Sequence, residues 1–341
     1  MAKYRDFIPQ NVAPKNVRRI GIYDSNGNRV GIIPLGNLAF PSAGQKLYSF
    51  GALSDVHIGY DTAEQDFRNA LSYLDKNVEF TCVCGDLTGQ GSIEQLQQYH
   101  DIARENWSVV RSIAGNHEGM NTDIDRIIMN FTGYSLYYSF THGDDVFIMV
   151  GTLGGEMYSN GVVFANGELQ WLYETLEANR NKRCFVFQHI FAGVTNEPVC
   201  GNAMGLYTNW CWHDTNECNV FESLMKHYKN VTWFHGHSHL KYSLQKYGQL
   251  YANYSDADGY RSVHIPSLAV PRADTNNDGT PDTIYADSEG YVVDVYEHGI
   301  HLRGRDFVKG EFLPIASYWL DTTLQTVAAG TYVDSTGTIE T

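Results

Sequence analysis

Short apolar runs separated by polar, turn-forming segments dominate the hydrophobic pattern of the chain from about residue 46 onward. Five of these runs predict buried strands, at 48–53, 78–84, 108–114, 184–188 and 231–235. Between them apolar residues recur at helical spacing, which predicts helices at about 62–76, 92–106, 167–179 and 218–229. Strands that alternate with helices are typical of an α/β architecture.

The remaining pattern predicts smaller elements and the limits of the main domain. A short helix is expected at 123–130, and two strands at 136–140 and 146–151. The pattern after residue 240 predicts mostly antiparallel strands, at 241–253, 261–270, 290–296, 299–307 and 313–320. We therefore divide the chain into a small β-hairpin appendage (1–46, with Asn26-Gly27 in the turn), a main domain (47–323) and a fraying, Thr- and Gly-rich tail (324–341).

Charge and composition exclude some classes of partner. The formal net charge of −15, from 24 Lys and Arg against 39 Asp and Glu, argues against a protein that coats nucleic acid or an anionic membrane. Small anionic substrates stay possible if bound cations offset the charge locally. No apolar run approaches the roughly 18–20 residues of a membrane helix, and residues 1–6 lack a secretory apolar core. We expect a soluble, cytoplasmic protein without membrane insertion; the oligomeric state stays open.

The six cysteines do not form a disulfide framework in a chain of this length. Cys82 and Cys84 share one face of a predicted strand, and we expect both to be reduced. Cys200, Cys211 and Cys218 lie in one irregular segment and could pair if the protein were exported.

Each of the five buried strands ends in side chains that can bind metal. The residues that follow these strands are Asp55 and His57, then Gly85-Asp86, then Gly115-Asn116-His117-Glu118, then His189, and last Gly236-His237-Ser238-His239. Taken singly, each of these could be a surface turn or a structural histidine. Five in succession predict one crevice, because parallel strands present their carboxyl ends at the same edge of a sheet.

Carboxylate, amide and imidazole groups together suit divalent manganese, iron or zinc better than an all-oxygen calcium cage. Two such ions about 3.5–4 Å apart, bridged by a carboxylate, can bind a phosphate and hold a hydroxide in line for attack on phosphorus. This chemistry needs no protein nucleophile, and no serine or cysteine nucleophile motif is present.

In type and order, these motifs resemble the five signature motifs of the calcineurin-like metallophosphoesterases, and they span residues 53–239. The closest resemblance is to bacterial enzymes of the class III cyclic-nucleotide phosphodiesterase type. It rests on Gly85-Asp86-Leu87-Thr88 with Gly91-Ser92-x-Glu94, and more loosely on 288–291 and 302–307. The resemblance implies an α/β (α+β) fold, a four-layer αββα sandwich of two mixed β-sheets flanked by helices.

The resemblance also implies roles for individual residues. One metal ion would be held by Asp55, His57, Asp86 and His239, and the second by Asp86, Asn116, His189 and His237. Asp86 would bridge the two ions, and the bridging hydroxide between them would attack phosphorus in line. His117 would give a proton or a hydrogen bond to the leaving group.

One departure from the family pattern concerns the protein Ser/Thr phosphatases, which carry an Asp-Arg-Gly signature after the second motif. Here the chain reads Gly89-Gln90-Gly91, so an acidic residue that could orient His117 is absent at that place. This argues against the protein-phosphatase subgroup.

Two further segments have functional and plain interpretations that both stay open. Asp274, Asn276, Asp278 and Asp282 match part of a calcium-binding loop, although Tyr285 stands where a bidentate glutamate is expected; the alternative is a polar surface turn. Tyr207, Trp210, Trp212 and His213 could stack on a nucleobase or form the core of a self-packed loop.

The leading hypothesis is a two-metal hydrolase of a small phosphoester, most of all a phosphodiester. A phosphomonoesterase or a nuclease on the same scaffold is the alternative within the same class. A non-catalytic binding module would be expected to have lost ligands, and every ligand position is present here.

Overall fold

The computed structural model describes residues 19–23, 29–34, 43–105, 109–118, 135–152, 164–190, 216–242, 260–273, 283–284, 286–322, 332–333 and 339–340. In chain order the strands are β1 (Arg19–Tyr23), β2 (Arg29–Pro34), β3 (Lys46–Leu53), β4 (Phe80–Cys84), β5 (Val109–Ile113), β6 (Tyr138–His142), β7 (Asp145–Val150), β8 (Cys184–Gln188), β9 (Val231–His235), β10 (Ser262–His264), β11 (Arg272–Ala273), β12 (Thr283–Ile284), β13 (Glu289–Tyr296), β14 (Gly299–Asp306), β15 (Glu311–Asp321), β16 (Tyr332–Val333) and β17 (Ile339–Glu340). The helices within the described residues are α1 (Ala63–Leu74), α2 (Ile93–Arg104), α3 (Glu168–Ala178) and α4 (Asn216–His227).

Two mixed sheets form the centre of the fold. The larger sheet has the strand order β15-β14-β13-β3-β4-β5, and the second has the order β10-β9-β8-β7-β6. Strands β3, β4 and β5 run parallel, and so do β7, β8, β9 and β10, whereas β13, β14 and β15 pair antiparallel with their neighbours and β6 pairs antiparallel with β7.

Three apolar layers hold the sheets and helices together. The layer between the sheets is aromatic: Phe50 from β3 meets Phe147 from β7 edge-on at 5.2 Å between ring centroids, and Phe187 stacks on Phe234 at 4.8 Å. Burying each such ring contributes about 1.5–3 kcal/mol. The two outer layers pack helices α1 and α2 on the larger sheet and α3 and α4 on the second one. The predicted αββα sandwich is therefore confirmed.

Local sequence accounts for the helices that cover the larger sheet. In α1, Phe67, Leu71 and Leu74 recur at helical spacing and are fully buried against that sheet. Helix α2 begins after Ser92, whose hydroxyl accepts a hydrogen bond from the backbone N–H of Gln95 at 3.2 Å, as is usual for a serine at the N-cap.

The structure corrects the predicted strand at 261–270. Only Ser262–His264 forms a strand, β10, and it pairs parallel with β9 instead of antiparallel. The chain beyond it turns toward the ends of the other strands, since the backbone N–H groups of Leu268 and Ala269 donate to the carbonyl oxygens of Ser54 and Asp55. The sequence pattern could not predict the direction of this strand, because parallel and antiparallel edge strands show the same alternation of polar and apolar residues.

Other predictions agree with the structure or lie outside the described residues. The N-terminal hairpin is present as β1 paired antiparallel with β2, and β13, β14 and β15 form the expected antiparallel strands. Cys82 and Cys84 are buried free thiols, and Cys218 is buried as well. The predicted helix at 123–130, residues 243–253, Cys200 and Cys211 lie outside the described residues. The domain limits at 46 and 323 stay predictions.

In the described part of the chain, each helix is too short or too polar to cross a membrane.

Candidate metal centre

The candidate ligands converge because they follow the carboxyl ends of parallel strands in both sheets. Strands β3, β4 and β5 end before Asp55, Asp86 and Asn116, and strands β8 and β9 end before His189 and the His237–His239 turn. Backbone hydrogen bonds join the loops: Asp55 N–H donates to the carbonyl of Gly85 at 3.1 Å, and Gly236 N–H to that of His189 at 3.0 Å. The two sheets therefore deliver their ligands to a single crevice.

The backbone is strained at the candidate ligands. In the described part of the chain, the non-glycine residues with positive φ are all candidate ligands: Asp55 (55°), His57 (51°), Asp86 (49°), His237 (73°) and His239 (58°). Left-handed backbone at a non-glycine residue costs on the order of 1–3 kcal/mol and persists where the surroundings hold it in place. Strain at these positions indicates that the fold tolerates a loss of stability in order to orient the candidate ligands.

The first group of candidate ligands is Asp55, His57, Asp86 and His239, all buried, with one ligand atom from each lying within 4.8 Å of the others. Nε2 of His57 is 2.9 Å from Nε2 of His239, 3.9 Å from Asp55 Oδ1 and 3.8 Å from Asp86 Oδ2. Nε2 of His239 is 3.1 Å from Asp55 Oδ1. These four side chains could hold one metal ion, with the composition that the sequence predicted.

The second group is Asp86, His189 and His237, again within 4.8 Å of one another. Nε2 of His189 lies 3.1 Å from Asp86 Oδ2, so the Asp86 carboxylate faces both groups. Asn116 directly precedes His117, whose backbone N–H donates to Asp86 Oδ1; Asn116 is buried, and its Oδ1 atom makes no hydrogen bond with any described residue. Asp86 therefore belongs to both groups. Its role as a bridging ligand and the assignment of the individual ligands stay predictions.

Electrostatics at the site reflect an excess of negative charge. Burial opposes ionisation of the Asp55 carboxyl, but the His239 and His189 rings outweigh it and hold its pKa below the ordinary value. Burial likewise favours the neutral form of His189, but Asp86 and Asp55 raise the pKa of His189 to about 9. A proton on His189 therefore supplies positive charge that the two carboxylates require.

The residues present fit divalent transition-metal ions. Burial lowers the pKa of His57 to about 3 and that of His237 to about 4, so both rings are neutral near pH 7 and can ligate. Two buried oxygens, Asp55 Oδ1 and Asn116 Oδ1, form no hydrogen bond with a described residue. An unsatisfied buried polar atom costs about 1–3 kcal/mol, which a bound cation would offset. The residues do not decide between manganese, iron and zinc.

Backbone groups orient several of the candidate ligands. Nδ1 of His189 lies 2.6 Å from the carbonyl oxygen of Cys84, which can only accept, so Nδ1 carries the hydrogen and Nε2 faces the site. Backbone N–H groups also orient the two carboxylates. Asp55 Oδ2 accepts a hydrogen bond from the His237 N–H at 3.1 Å, and Asp86 Oδ1 accepts one from the His117 N–H at 3.0 Å.

Two glycines permit the close approach of neighbouring loops. A Cβ atom on Gly115 would lie 2.2 Å from Asp86 Oδ1, and one on Gly236 would lie 1.9 Å from Ser54 Oγ and 2.6 Å from Asp55 Oδ2. Any larger residue at either position would push a carboxylate out of place, which is why each loop carries glycine directly before a candidate ligand.

His117 lies at the mouth of the site. Its Nδ1 atom is 2.7 Å from the carbonyl oxygen of Gly89, and its Nε2 atom is 3.7 Å from Asp86 Oδ2. The side chain is 12% exposed, whereas those of His57 and His189 are fully buried. Since Gly89 O accepts from Nδ1, Nε2 is the ring atom that a substrate can reach. A backbone carbonyl thus supplies the orienting contact for which the sequence offered no acidic side chain.

Sequence reasoning gave no role to three residues next to the predicted ligands. Tyr60 stacks on the His57 ring at 4.9 Å between centroids, and Nε2 of His264 lies 2.6 Å from the Ser238 hydroxyl, between the two histidines of the last motif. Glu118 is fully buried between two of the loops. Only Glu118 carried a signal, its position directly after Asn116 and His117; Tyr60 and His264 follow ordinary turn or strand sequences.

The predicted calcium loop (Asp274, Asn276, Asp278, Asp282) and the aromatic segment (Tyr207, Trp210, Trp212, His213) lie outside the described residues. Their interpretations stay predictions.

Comparison with known proteins agrees with this geometry. The serine/threonine-protein phosphatase CPPED1 of Homo sapiens is 30% identical over 154 residues, which are 40% of this chain and 49% of that protein. CPPED1 of Pongo abelii is 29% identical over the same length. The chain therefore spans about half the length of the curated relatives it matches.

Among solved structures, GAP50, described as the anchor in the inner membrane complex of Plasmodium, superposes with a TM-score of 0.53. It is 11% identical, and the match covers 83% of this chain and 90% of that one, a likeness that shows a shared fold. The family model for calcineurin-like phosphoesterases matches residues 48–241, more than half of the chain and the whole set of candidate ligands. This protein belongs to the calcineurin-like phosphoesterase family.

Proposed function

We propose that the protein hydrolyses phosphodiesters with two divalent metal ions bound at the candidate metal centre. The observation that carries the proposal is the shared carboxylate: Asp86 lies within ligand distance of both groups of side chains. One carboxylate between two groups of ligands is the arrangement that a pair of neighbouring ions requires.

The bound ions would polarise the phosphoryl oxygens and supply an acidified water as the nucleophile. The protein holds the ligands: Asp55, His57, Asp86 and His239 on one side, and Asp86, Asn116, His189 and His237 on the other. Asp55 and Asp86 each accept a backbone N–H at one carboxylate oxygen, and the other oxygen lies 3.1 Å from a candidate histidine ligand and could bind a metal ion. These seven residues are the ligands that the family resemblance implied.

His117 is proposed as the proton donor to the leaving group. Its Nδ1–H donates to the carbonyl of Gly89, so Nε2 is the ring nitrogen that can reach a substrate. The His57 ring packs edge-on against it at 4.6 Å and limits its rotation. A donor held in this way can protonate the departing alkoxide as the bond to phosphorus breaks.

A diester is favoured over a protein phosphomonoester for two reasons. Gly89-Gln90-Gly91 stands where protein phosphatases of the family carry Asp-Arg-Gly, so an arginine that could pair with the second charge of a monoester is missing. A diester also brings a single negative charge to a chain of net charge −15, and a monoester near neutral pH brings nearly two.

The second candidate is a protein Ser/Thr phosphatase, and the name of the curated relative CPPED1 favours it. The identity to that relative covers 40% of this chain and 49% of that protein, so its substrate class is only an alternative here. A nuclease or another phosphomonoesterase on the same ligands, and a non-catalytic binding module, are further alternatives. Metal content separates the module from the enzymes: about two ions per chain are expected of an enzyme.

The test is a comparison of kcat/KM at fixed metal and salt on a nucleoside cyclic phosphate, bis(4-nitrophenyl) phosphate, 4-nitrophenyl phosphate and a phosphothreonine peptide. We expect the diesters to be preferred. A preference of tenfold or more for the phosphopeptide would reject the diester proposal and favour the phosphatase. The absence of turnover on all four, in protein carrying two ions per chain, would reject catalysis of these reactions.

A further inference from the structure

Glu118 is a fully buried carboxylate that joins the loops after β4 and β5. Its Oε1 atom accepts two hydrogen bonds from Thr88, one from the backbone N–H and one from the hydroxyl, each 2.8 Å long. Its Oε2 atom accepts from the Gly115 N–H at 2.9 Å. Each of these three hydrogen bonds therefore comes from a loop that carries a candidate metal ligand.

The Gly115 contact places one loop against the shared carboxylate. Gly115 is so close to Asp86 that a Cβ atom would lie 2.2 Å from Oδ1 and 2.3 Å from the Asp86 backbone nitrogen. This approach brings the His117 N–H within 3.0 Å of Asp86 Oδ1. Asp86 Oδ2 is thereby the oxygen that faces His57 and His189.

The Thr88 contact places the other loop against His117. The Thr88 hydroxyl that donates to Glu118 also accepts from the Gly91 N–H at 2.9 Å. A Cβ atom on Gly91 would lie 2.5 Å from the His117 carbonyl oxygen, so the turn from Thr88 to Gly91 packs directly on His117. That turn presents the Gly89 carbonyl, which accepts from His117 Nδ1 at 2.7 Å.

We infer that Glu118 is a positioning residue, which acts through Thr88, Gly89 and Gly115 to set both the shared carboxylate Asp86 and the tautomer of His117. This inference rests on the proposed function for its catalytic meaning. It assigns to Glu118, acting through the Gly89 carbonyl, the orientation of His117 Nδ1. Glu118 acts on His117 indirectly, because the turn that it holds carries the Gly89 carbonyl.

A carboxylate at position 118 suits this role, because each of its two oxygens can accept hydrogen bonds. Its three donors occupy both ends of the carboxylate. A glutamine has nearly the same shape but presents an NH2 group at one end, which would oppose either the Gly115 N–H or the Thr88 N–H. Glu118→Gln therefore removes the hydrogen bonds to one of the two loops with little change in packing.

The test begins with metal-free, full-length, 15N-labelled protein, in which ring nitrogen–proton couplings show which nitrogen of His117 bears the hydrogen. The His117 signal is assigned from its absence in His117→Gln. We expect the Nδ1–H form in the wild type and a mixture of tautomers in Glu118→Gln. Metal affinity should fall about 10- to 100-fold, as for other residues that orient ligands. On the preferred substrate kcat should fall by a similar factor, with KM changing less than threefold.

Glu168→Gln is the matched control, since Glu168 is also fully buried and accepts a backbone N–H, that of Ala165 at 2.8 Å, but belongs to the start of helix α3. It should change thermal stability only. If Glu118→Gln lowers the melting temperature while the His117 tautomer and metal affinity stay as in the wild type, Glu118 is structural and the inference is wrong.

A second pair of variants covers the case in which Glu118→Gln does not fold. Thr88→Val removes only the hydroxyl of the Thr88 contact, and Thr88→Ser keeps it. We expect a mixture of His117 tautomers in Thr88→Val and the Nδ1–H form in Thr88→Ser; the same tautomer in both would overturn the inference. Tautomer and metal affinity need no turnover, so a failure to find any substrate would reject the proposed function and leave this test intact.

Discussion

The Nε2 atoms of His57 and His239 lie 2.9 Å apart, although 182 positions separate the two residues in the sequence. At this distance one hydrogen at most can lie between the two nitrogens. Burial, followed by the neighbouring His239, lowers the pKa of His57 to about 3, so that ring is neutral near pH 7. Two imidazole nitrogens that face each other beside two carboxylates are suited to share a cation.

Metal binding near pH 7 should release about one proton, and His189 is its source. Asp86 and Asp55 raise the pKa of His189 to about 9, so the metal-free protein holds a proton there that a metal ion must displace. His57 and His237, with pKa values of about 3 and 4, release none. Apparent metal affinity should therefore increase as the pH rises toward 9.

Titration calorimetry in buffers of different ionisation enthalpy measures this release. A binding enthalpy that does not depend on the buffer would contradict it. The same experiment with His189→Ala provides the control, since residual metal binding by that variant should release fewer protons.

Asp86→Asn should abolish binding of both ions and with it hydrolysis, because Asp86 is the carboxylate that lies within reach of both ligand groups. Metal content by elemental analysis and turnover on the preferred substrate are the two measurements. Asp101→Asn, at an exposed position of α2, is the control and should keep both. A variant at position 86 with two tightly bound ions and near-normal turnover would refute the shared role.

His117→Ala should keep both ions but slow turnover about 10²- to 10⁴-fold on substrates with poor leaving groups, as expected for loss of a general acid. His117 lies outside both ligand groups, and its Nε2 atom faces the mouth of the site. The loss should shrink for nitrophenyl esters, whose leaving group needs no proton. An equal loss for good and poor leaving groups would leave His117 with a role in positioning phosphate alone.

Glu289→Gln should flatten the dependence of stability on pH. Burial raises the pKa of Glu289 from 4.5 to about 7, with Asp287 and Asp306 acting in the same direction against the Tyr242 N–H and Lys241. Between these pH values the folded protein binds a proton that the unfolded chain does not. Stability from this group is therefore full below about pH 4.5 and is lost as the pH rises through 7.

The expected loss is up to roughly 3 kcal/mol, at about 1.4 kcal/mol for each unit of pKa difference. Urea unfolding at a series of pH values measures it: above pH 7 the Glu289→Gln variant should be more stable than the wild type, and below pH 4.5 it should not. Glu311→Gln, at an exposed position on β15, is the control. Parallel stability curves for wild type and Glu289→Gln would contradict the raised pKa.

Sequence alone determined the parts of this protein that follow from local pattern. Apolar runs that stop at Asp55, Asp86, Asn116, His189 and His237 predicted buried strands with metal-binding side chains at their ends. The structure brings Asp55, Asp86, His189 and His237 into two groups that share Asp86. Strand periodicity and ligand chemistry are both properties of a few neighbouring residues, so they can be read along the chain. The order of the motifs then favoured a family whose fold is the one observed.

Tertiary structure decided everything that depends on contacts between distant backbone groups. The sequence pattern does not predict the direction of β10, the contact of the Gly89 carbonyl with His117, or the three donors to Glu118. The reason is that backbone carbonyl and N–H groups are nearly the same at every residue. The raised pKa of His189 likewise depends on two carboxylates from other strands. The sequence therefore predicted the candidate side chains of the site, and the packing of the two sheets set their spacing, tautomers and charge.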